Sequence, residues 1–349
     1  MAEAFIVGLG ETPHAPQRDD VNTTEIAYEA VKAALADAGV ALAEIGSAIT
    51  ASQDFWEGRT ISSMAVNEIA GATFKSESKT ASDGTLALTY AAMRIVSGID
   101  SLMLVLAHCK ESQADAHTVE NAAFDPYVQR PLGADETVLA GFQAQLLEIP
   151  LEDRARVVAA ARSRSPWLEP VDAADVEGSD PTSTPLRALE RAPLADGACA
   201  LVLCDAATAA RLGKPAVRVA GAGTATGSYW SDRDLTREET LPIALAAALR
   251  HAGWDDAPAH LELSAPYAHQ ALHWARTIGA GDGPSAFEDG GLCPTGGWLA
   301  GRPGVVTGLS AAIACARALR EQGTGRALAH GTTGLLGQSH HLVALEAAS

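Results

Sequence analysis

Short apolar runs alternate with alanine-rich helical segments along this chain. In the clearest case, residues 80–98, a turn of small residues leads into an apolar helix that ends at Gly98. The next apolar run, residues 102–106, is typical of a buried strand. The pattern therefore predicts a turn, a buried helix and a core strand, with four larger side chains at helical spacing on the buried face, namely Leu86, Tyr90, Met93 and Ile95.

The same pattern occurs twice. Residues 4–10 and 217–223 are strand-like runs that end in glycines, and each precedes an alanine-rich helix, predicted over 24–39 and 238–253. A second matched pair of helices opens at Gly84 and Gly308 and closes at glycines 98 and 323, and the matched glycines lie 214 to 225 residues apart. Such spacing indicates a duplicated βαβαβ unit rather than a solenoid, whose repeats are much shorter.

Alternating strands and helices predict parallel-rich sheets covered by helices. The duplication predicts a five-layer αβαβα sandwich, in which two apolar helices lie between two sheets. We expect the first half over residues 1–210 and the second over 211–349. A proline-containing insertion at about 111–191, with a helix over 151–162, is expected to form a lid or binding loop, or else a solvated excursion.

Composition and charge argue against several classes of function. The chain has 349 residues and a net charge of −18, which argues against binding to duplex nucleic acid because no segment offers a basic face. Its five cysteines lack the spacing of a zinc site or disulfide framework, so we expect no metal. The apolar runs are too short to cross a bilayer and the N-terminus lacks a basic region, so a cytoplasmic protein is expected.

Three segments carry a family resemblance. They are the opening strand and turn IVGLGETP (6–13), the strand APLADGACALV (192–202) and the glycine-rich segment LCPTGGWLAGRPGVVTG (292–308). With these segments the chain resembles the thiolase superfamily, particularly the acyl-CoA thiolases related to sterol carrier protein and their aldolase relatives. The resemblance implies the five-layer sandwich, a coenzyme A thioester as ligand and no covalently bound cofactor.

The chain departs from that family at each catalytic position. The family's nucleophilic cysteine falls on Ala81, next to Ser82 and Asp83. Alanine cannot be acylated, and the arginine at the position of the family's histidine cannot serve as a general base near neutral pH. The other family positions fall on residues that also lack the family's groups, namely Ser264, Arg302 and, in the segment that begins at His330, Gly331.

Several residues are candidate substitutes, each with a structural alternative. Cys293 replaces an asparagine near the pocket, but a plain small residue is favoured there. Asp83 is either an acid or base with a shifted pKa or a helix N-cap, and the cap is favoured. Tyr267 is either a proton donor for retro-aldol chemistry or a packed aromatic, and His269 lies in the same loop. We also expect Asp83 to form an ion pair with Arg302 that fills a vestigial site.

The resemblance also implies partners. It places a dimer interface at the strand 101–108 and the segment 75–81, and an aromatic loop at 54–61 is a candidate channel or interface. Three functions follow. The favoured one is a subunit without its own nucleophile, paired in a homo- or heterodimer with an active thiolase-like paralogue and with a zinc-ribbon/OB-fold acyl-CoA-binding protein. The others are a cysteine-independent acyl-CoA retro-aldolase and a non-catalytic acyl-CoA or lipid-binding dimer.

Overall fold

The computed structural model describes residues 3–229 and 233–348. Its strands are β1 (Ala4–Glu11), β2 (Ser47–Ala51), β3 (Ser76–Thr80), β4 (Leu102–Lys110), β5 (Asp196–Asp205), β6 (Val217–Thr226), β7 (His260–Glu262), β8 (Arg326–Thr333) and β9 (Ser339–Ala347). Its helices are α1 (Thr23–Ala38), α2 (Asp54–Glu57), α3 (Gly84–Val96), α4 (Ala116–Ala122), α5 (Glu136–Leu147), α6 (Leu151–Arg162), α7 (Ala173–Gly178), α8 (Ala206–Leu212), α9 (Thr240–Ala252), α10 (Ala268–Thr277), α11 (Ser285–Glu288) and α12 (Gly304–Gln322).

The strands carry the duplication that the sequence predicts. Their order is β3-β2-β4-β5-β1-β6-β9-β8-β7, so the first half and the second half meet where β1 pairs with β6. This antiparallel junction covers only Ala4–Ile6 against Val217–Val219. On either side of it the order is the same, apart from one strand that the described second half lacks. The inner strands of the two halves are antiparallel, whereas β2 and β7 pair in parallel with β4 and β8.

The layers are those of the predicted αβαβα sandwich. Helices α3 and α12 pack against each other and contact strands of both halves, while α1 and α9 cover the outer faces of the first and second half respectively. The predicted start of the second central helix at Gly308 is wrong by one turn, because α12 begins at Gly304 directly after Pro303. Gly308 lies inside the helix, where the N-terminal end of α3 approaches closely.

The buried face of α3 differs from the prediction. The small residues Ala87 and Ala91 are buried with Leu88 and Ile95, whereas Met93 is 57% exposed. Central helices approach each other closely only through small side chains, so the larger ones lie toward the edge of the molecule. Of the two segments predicted at a dimer interface, the strand 101–108 forms β4 and lies between β2 and β5. The other segment, 75–81, contains β3, which is the edge strand of the first half.

The insertion is more helical than its prolines suggested. The predicted helix over 151–162 is confirmed as α6, and α4, α5 and α7 accompany it. Aspartates at 115, 135 and 172 cap these three helices through their side chains. Within the described ranges, every helix is too short or too polar to span a membrane.

Candidate functional site

A cavity of about 200 Å³ lies between the insertion and the loops that follow β8 and precede α12. Trp56 and Trp298 contribute apolar wall, so part of the predicted aromatic loop faces this space. The other prominent lining side chains are ionisable, namely Glu111, Glu120, Glu136, Arg191 and Tyr267. A cavity with apolar walls and a few convergent polar groups is typical of a small-molecule site.

Glu111 follows the end of β4 and is buried. Its two carboxylate oxygens accept hydrogen bonds from the backbone N–H groups of Ala195 (2.9 Å) and Gly304 (2.8 Å). Burial raises the pKa of Glu111 to about 7, although these hydrogen bonds favour the charged form. The carboxyl group is therefore held rigidly and exchanges a proton near neutral pH.

Glu136 is the first residue of α5 and also lines the cavity. Burial and the neighbouring charge of Glu120 raise the pKa of Glu136 to about 7. Glu120 itself forms an ion pair with Arg191, which keeps that carboxylate occupied. In the described part of the chain Glu136 forms no ion pair, although the charge of Arg191 and a hydrogen bond with the backbone of Leu336 both act to lower its pKa; with a pKa of about 7 it can take up a proton at neutral pH.

Tyr267 also lines this cavity. The hydroxyl lies 3.1 Å from Thr137 Oγ1, and the Arg191 guanidinium lies 5.9 Å from the centre of the Tyr267 ring. Burial raises the pKa of Tyr267 above its usual value, so the phenol keeps its proton and acts as a hydrogen-bond or proton donor. Of the predicted site residues, Tyr267 is the one that lines the cavity.

The turn that would hold a nucleophile is filled by Asp83. Ala81 is exposed, and Asp83 caps α3 by accepting a hydrogen bond from Thr85 N (2.9 Å), as the favoured alternative predicted. The Asp83 carboxyl lies so close to Gly308 and Gly331 that a Cβ at either position would overlap it. Burial raises the pKa of Asp83 to about 7.

The predicted ion pair between Asp83 and Arg302 is wrong. Arg302 instead faces Glu262, with 3.9 Å between Nη1 and Oε2, and it also donates to the hydroxyl of Thr295. Glu262 is fully buried, and its Oε1 accepts hydrogen bonds from the Thr295 hydroxyl at 2.8 Å and the Thr295 backbone N–H at 3.2 Å. A buried carboxylate needs a cationic or hydrogen-bonding partner, and Arg302 is the cation that faces Glu262. Neither residue lines the cavity.

Four other predicted residues are engaged in the protein interior. Ser264 donates its hydroxyl to the carbonyl of His330 at 2.6 Å, and His330 Nε2 lies 2.8 Å from His340 Nδ1. His269 Nε2 lies 3.2 Å from Gln143 Oε1. Burial lowers the pKa of His269 to about 3, so the imidazole stays neutral. Cys293 is hydrogen-bonded to the backbone of Leu263, and burial raises the pKa of its thiol. These contacts indicate structural roles.

One further cluster, Glu11, His14 and Cys199, was not predicted. Their ligand atoms lie within 4.8 Å of one another, which could suit a metal ion. However, Arg317 already forms an ion pair with Glu11 at 2.8 Å, and Ser310 donates to the same carboxylate. Burial also raises the pKa of the Cys199 thiol well above its usual value. The Glu11 carboxylate, which is the charged group of the cluster, thus already has a cation and a hydrogen-bond donor as partners.

Most ionisable residues of the cavity were missed from the sequence. Glu111, Glu120, Glu136 and Arg191 belong to four separate stretches of the insertion and its borders. Acidic residues are common in this chain, and nothing in their spacing distinguishes these. The only local signal is Asp135 before Glu136, which predicts the start of a helix rather than a site.

Comparisons with known proteins identify the fold. No family model matches the chain, and no curated protein matches it. Among solved structures, one described as "Ltp2-ChsH2(DUF35) aldolase" is 19% identical with a TM-score of 0.80, covering 99% of this chain and 98% of the other. Human mitochondrial 3-ketoacyl-CoA thiolase is 15% identical with a TM-score of 0.83, covering 100% and 99% of the two chains.

The human enzyme in complex with CoA is also similar, at 15% identity and a TM-score of 0.81 over the full length of both chains. At such low identity, these likenesses show a shared fold. The chain therefore has the thiolase fold, as the motifs and the duplicated pattern predicted.

Proposed function

We propose that this chain is a cysteine-independent carbon–carbon lyase that cleaves a 3-hydroxyacyl thioester of coenzyme A by a retro-aldol reaction. The observation that carries the proposal is the cavity in which Glu136, with a pKa of about 7, and the protonated phenol of Tyr267 both face the same space. The nucleophile position holds alanine, so acid–base chemistry is the chemistry that the cavity offers.

The reaction assigns one role to each group. The Glu136 carboxylate takes the proton of the substrate's 3-hydroxyl group, the C3–O bond becomes a carbonyl, and the bond between C2 and C3 breaks. Its electron pair forms the thioester enolate, and the Tyr267 hydroxyl protonates C2. The proton on Glu136 then restores the phenol. Glu111 and the ion pair between Glu120 and Arg191 form the rest of the ionisable cavity wall, and their hydrogen bonds and ion pair hold these charged groups in place.

The neighbours support this choice over a subunit without activity. One similar structure is described as an aldolase with a second component, and another is a thiolase bound to CoA. An inert subunit paired with an active paralogue remains the second candidate, because Ala81 cannot be acylated. The ion pair expected to fill its vestigial site does not form, and the cavity is open.

The edge of the first half-sheet supports association with another thiolase-fold chain. Strand β3 has one free edge, and the chain segments on either side of it carry exposed large apolar side chains, namely Ile61, Met64, Phe74, Met93 and Ile99. We include in the proposal a dimer through this edge. A zinc-ribbon/OB-fold acyl-CoA-binding protein belongs to the proposal as the second component.

The test uses the chain co-purified with its native partners and a 3-hydroxyacyl-CoA that is branched at C3. Release of the ketone and of the shortened acyl-CoA is followed by mass spectrometry. We expect Glu136→Gln to slow release at least a hundredfold, which corresponds to about 2.7 kcal/mol of transition-state stabilisation. Glu177→Gln, an exposed glutamate on α7, serves as the matched control. Equal rates for the two variants would favour the inert subunit.

A further inference from the structure

A serine and a histidine that the proposed lyase does not use lie in hydrogen-bond contact beside the cavity. Ser82 Oγ is 3.0 Å from His341 Nε2 and 3.0 Å from Thr333 Oγ1. Thr333 itself lines the cavity, so the Ser82 hydroxyl lies one hydrogen bond behind its wall. A hydroxyl within hydrogen-bond reach of an imidazole is the basic geometry of an activated nucleophile.

The fold brings these two residues together from distant segments. Ser82 lies in the turn between β3 and α3, and His341 is the third residue of β9. His340 and His341 are neighbours on a strand, so their side chains point to opposite faces. His340 packs against Trp274 and His330, whereas His341 faces Ser82. The second half of the chain thus supplies the base for a hydroxyl in the first half.

The surroundings suit a nucleophile in two further respects. Helix α3 has 13 residues and begins two positions after Ser82, so the positive end of its dipole, which the Asp83 side chain caps, lies at this turn. Burial lowers the pKa of His341 to about 4, so the imidazole is neutral at neutral pH and its Nε2 can accept the hydrogen bond of the Ser82 hydroxyl. Ser82 is only half-buried, and its neighbour Ala81 is exposed.

We propose that Ser82 is an acyl-accepting nucleophile, with His341 as its general base, and that this pair hydrolyses acyl thioesters. Ser82 Oγ attacks the thioester carbonyl carbon while its proton passes to His341 Nε2. The C–S bond breaks, and the thiolate leaves with that proton. Water then cleaves the acyl-serine ester, so thioester and water become carboxylic acid and thiol. The inference rests on the thioester ligand of the proposed function but not on carbon–carbon cleavage.

The experiment uses the full chain and acetyl-CoA, with free thiol release and intact mass as readouts. We expect an added acetyl group on Ser82, located by peptide mass spectrometry, and labelling of the same residue by a fluorophosphonate. Ser82→Ala should abolish both modifications, and His341→Gln should slow thiol release at least a hundredfold. Ser78→Ala is the matched control, since Ser78 is a partly buried serine nearby that is bonded to Tyr90 rather than to a histidine.

A second variant keeps the proposal testable if Ser82→Ala folds poorly. Ser82→Cys places a thiol beside the same imidazole and should be acetylated by acetyl-CoA and alkylated by iodoacetamide. Absence of acyl-serine and of fluorophosphonate labelling in the unmodified protein would overturn the proposal, as would equal thiol release in Ser82→Ala and Ser78→Ala. Ketone release is a separate product, so failure of the lyase proposal is distinguishable from failure of this one.

Discussion

The space between the two central helices and the cavity under the insertion differ in how the protein fills them. Between the helices, the Asp83 carboxyl occupies the room that side chains at 308 and 331 would need. Under the insertion, carboxyl groups and a phenol line open space. The first region is packed as a core, whereas the second keeps carboxyl groups with raised pKa values around a cavity, an arrangement typical of functional sites.

This difference divides the expected effects of mutations. Variants of the packed region should change the free energy of unfolding, and variants of the cavity should change turnover. Four substitutions test the division.

The largest effect on stability is expected from Arg302→Ala. This change leaves the fully buried Glu262 without its cation, and removal of one member of a buried pair costs about 3–5 kcal/mol. Chemical denaturation measures the cost. Arg237→Ala, which removes an arginine from an exposed pair with Glu239, should cost at most about 1 kcal/mol. Adding Glu262→Gln to Arg302→Ala should recover part of the lost stability, because the uncompensated charge is removed. If Arg302→Ala alone costs no more than Arg237→Ala, the pairing of Arg302 with Glu262 is contradicted.

Gly331→Ala should come next. The added Cβ would overlap the Asp83 carboxyl, and overpacking in a tight interior costs about 1–3 kcal/mol. Gly178→Ala is the control, because a Cβ there meets open space. In an Asp83→Ala background the cost of Gly331→Ala should shrink, since the overlapping group is gone. If the two costs simply add in this double-mutant cycle, the Cβ at position 331 does not overlap the Asp83 carboxyl, and the prediction is wrong.

The fold was predictable because its signals are local and repeated. Glycines that close helices and apolar runs of strand length occur twice in the same order, and each can be recognised within about 15 residues. The resemblance motifs confirmed the same architecture. The differences were smaller features: the buried face of α3, the extra helices of the insertion, and the start of α12, where the sequence does not reveal that the helix begins directly after Pro303 rather than at Gly308.

The site was less predictable because its contacts join distant segments. Arg302 and Asp83 occupy family catalytic positions, which suggested a pair, but the nearer carboxylate in space is Glu262, on β7. Likewise, Glu120 and Arg191 are 71 residues apart and meet only when the insertion folds over the sheet ends. Tyr267 was identified because a resemblance motif marked its loop. Pairings that depend on tertiary packing leave no trace in local spacing.

A moderate and pH-dependent effect is expected from Asp83→Asn. The pKa of Asp83 is about 7 in the folded protein, against 3.8 for the ordinary group, so folding favours the protonated form. The stability that this proton provides is fully present below pH 3.8 and is lost as pH rises through 7. The melting temperature of the unmodified protein should therefore fall between pH 6 and 8 by about 2 °C relative to Asp83→Asn, because about 1.4 kcal/mol of stability is lost over this range. Parallel curves for the two proteins would contradict the raised pKa.

The smallest effect on stability, with a large one on turnover, is expected from Tyr267→Phe. The substitution keeps the packed ring and removes one hydrogen bond to Thr137, at a cost of about 1 kcal/mol. Turnover should nevertheless fall at least tenfold at unchanged KM, because the lost hydroxyl donates a proton in the reaction rather than binding the substrate. Tyr28→Phe, on the surface of α1, is the control. If Tyr267→Phe instead lowered the melting temperature as much as Gly331→Ala while turnover stayed the same, Tyr267 would belong to the packed region, and the cavity would lose its proton donor.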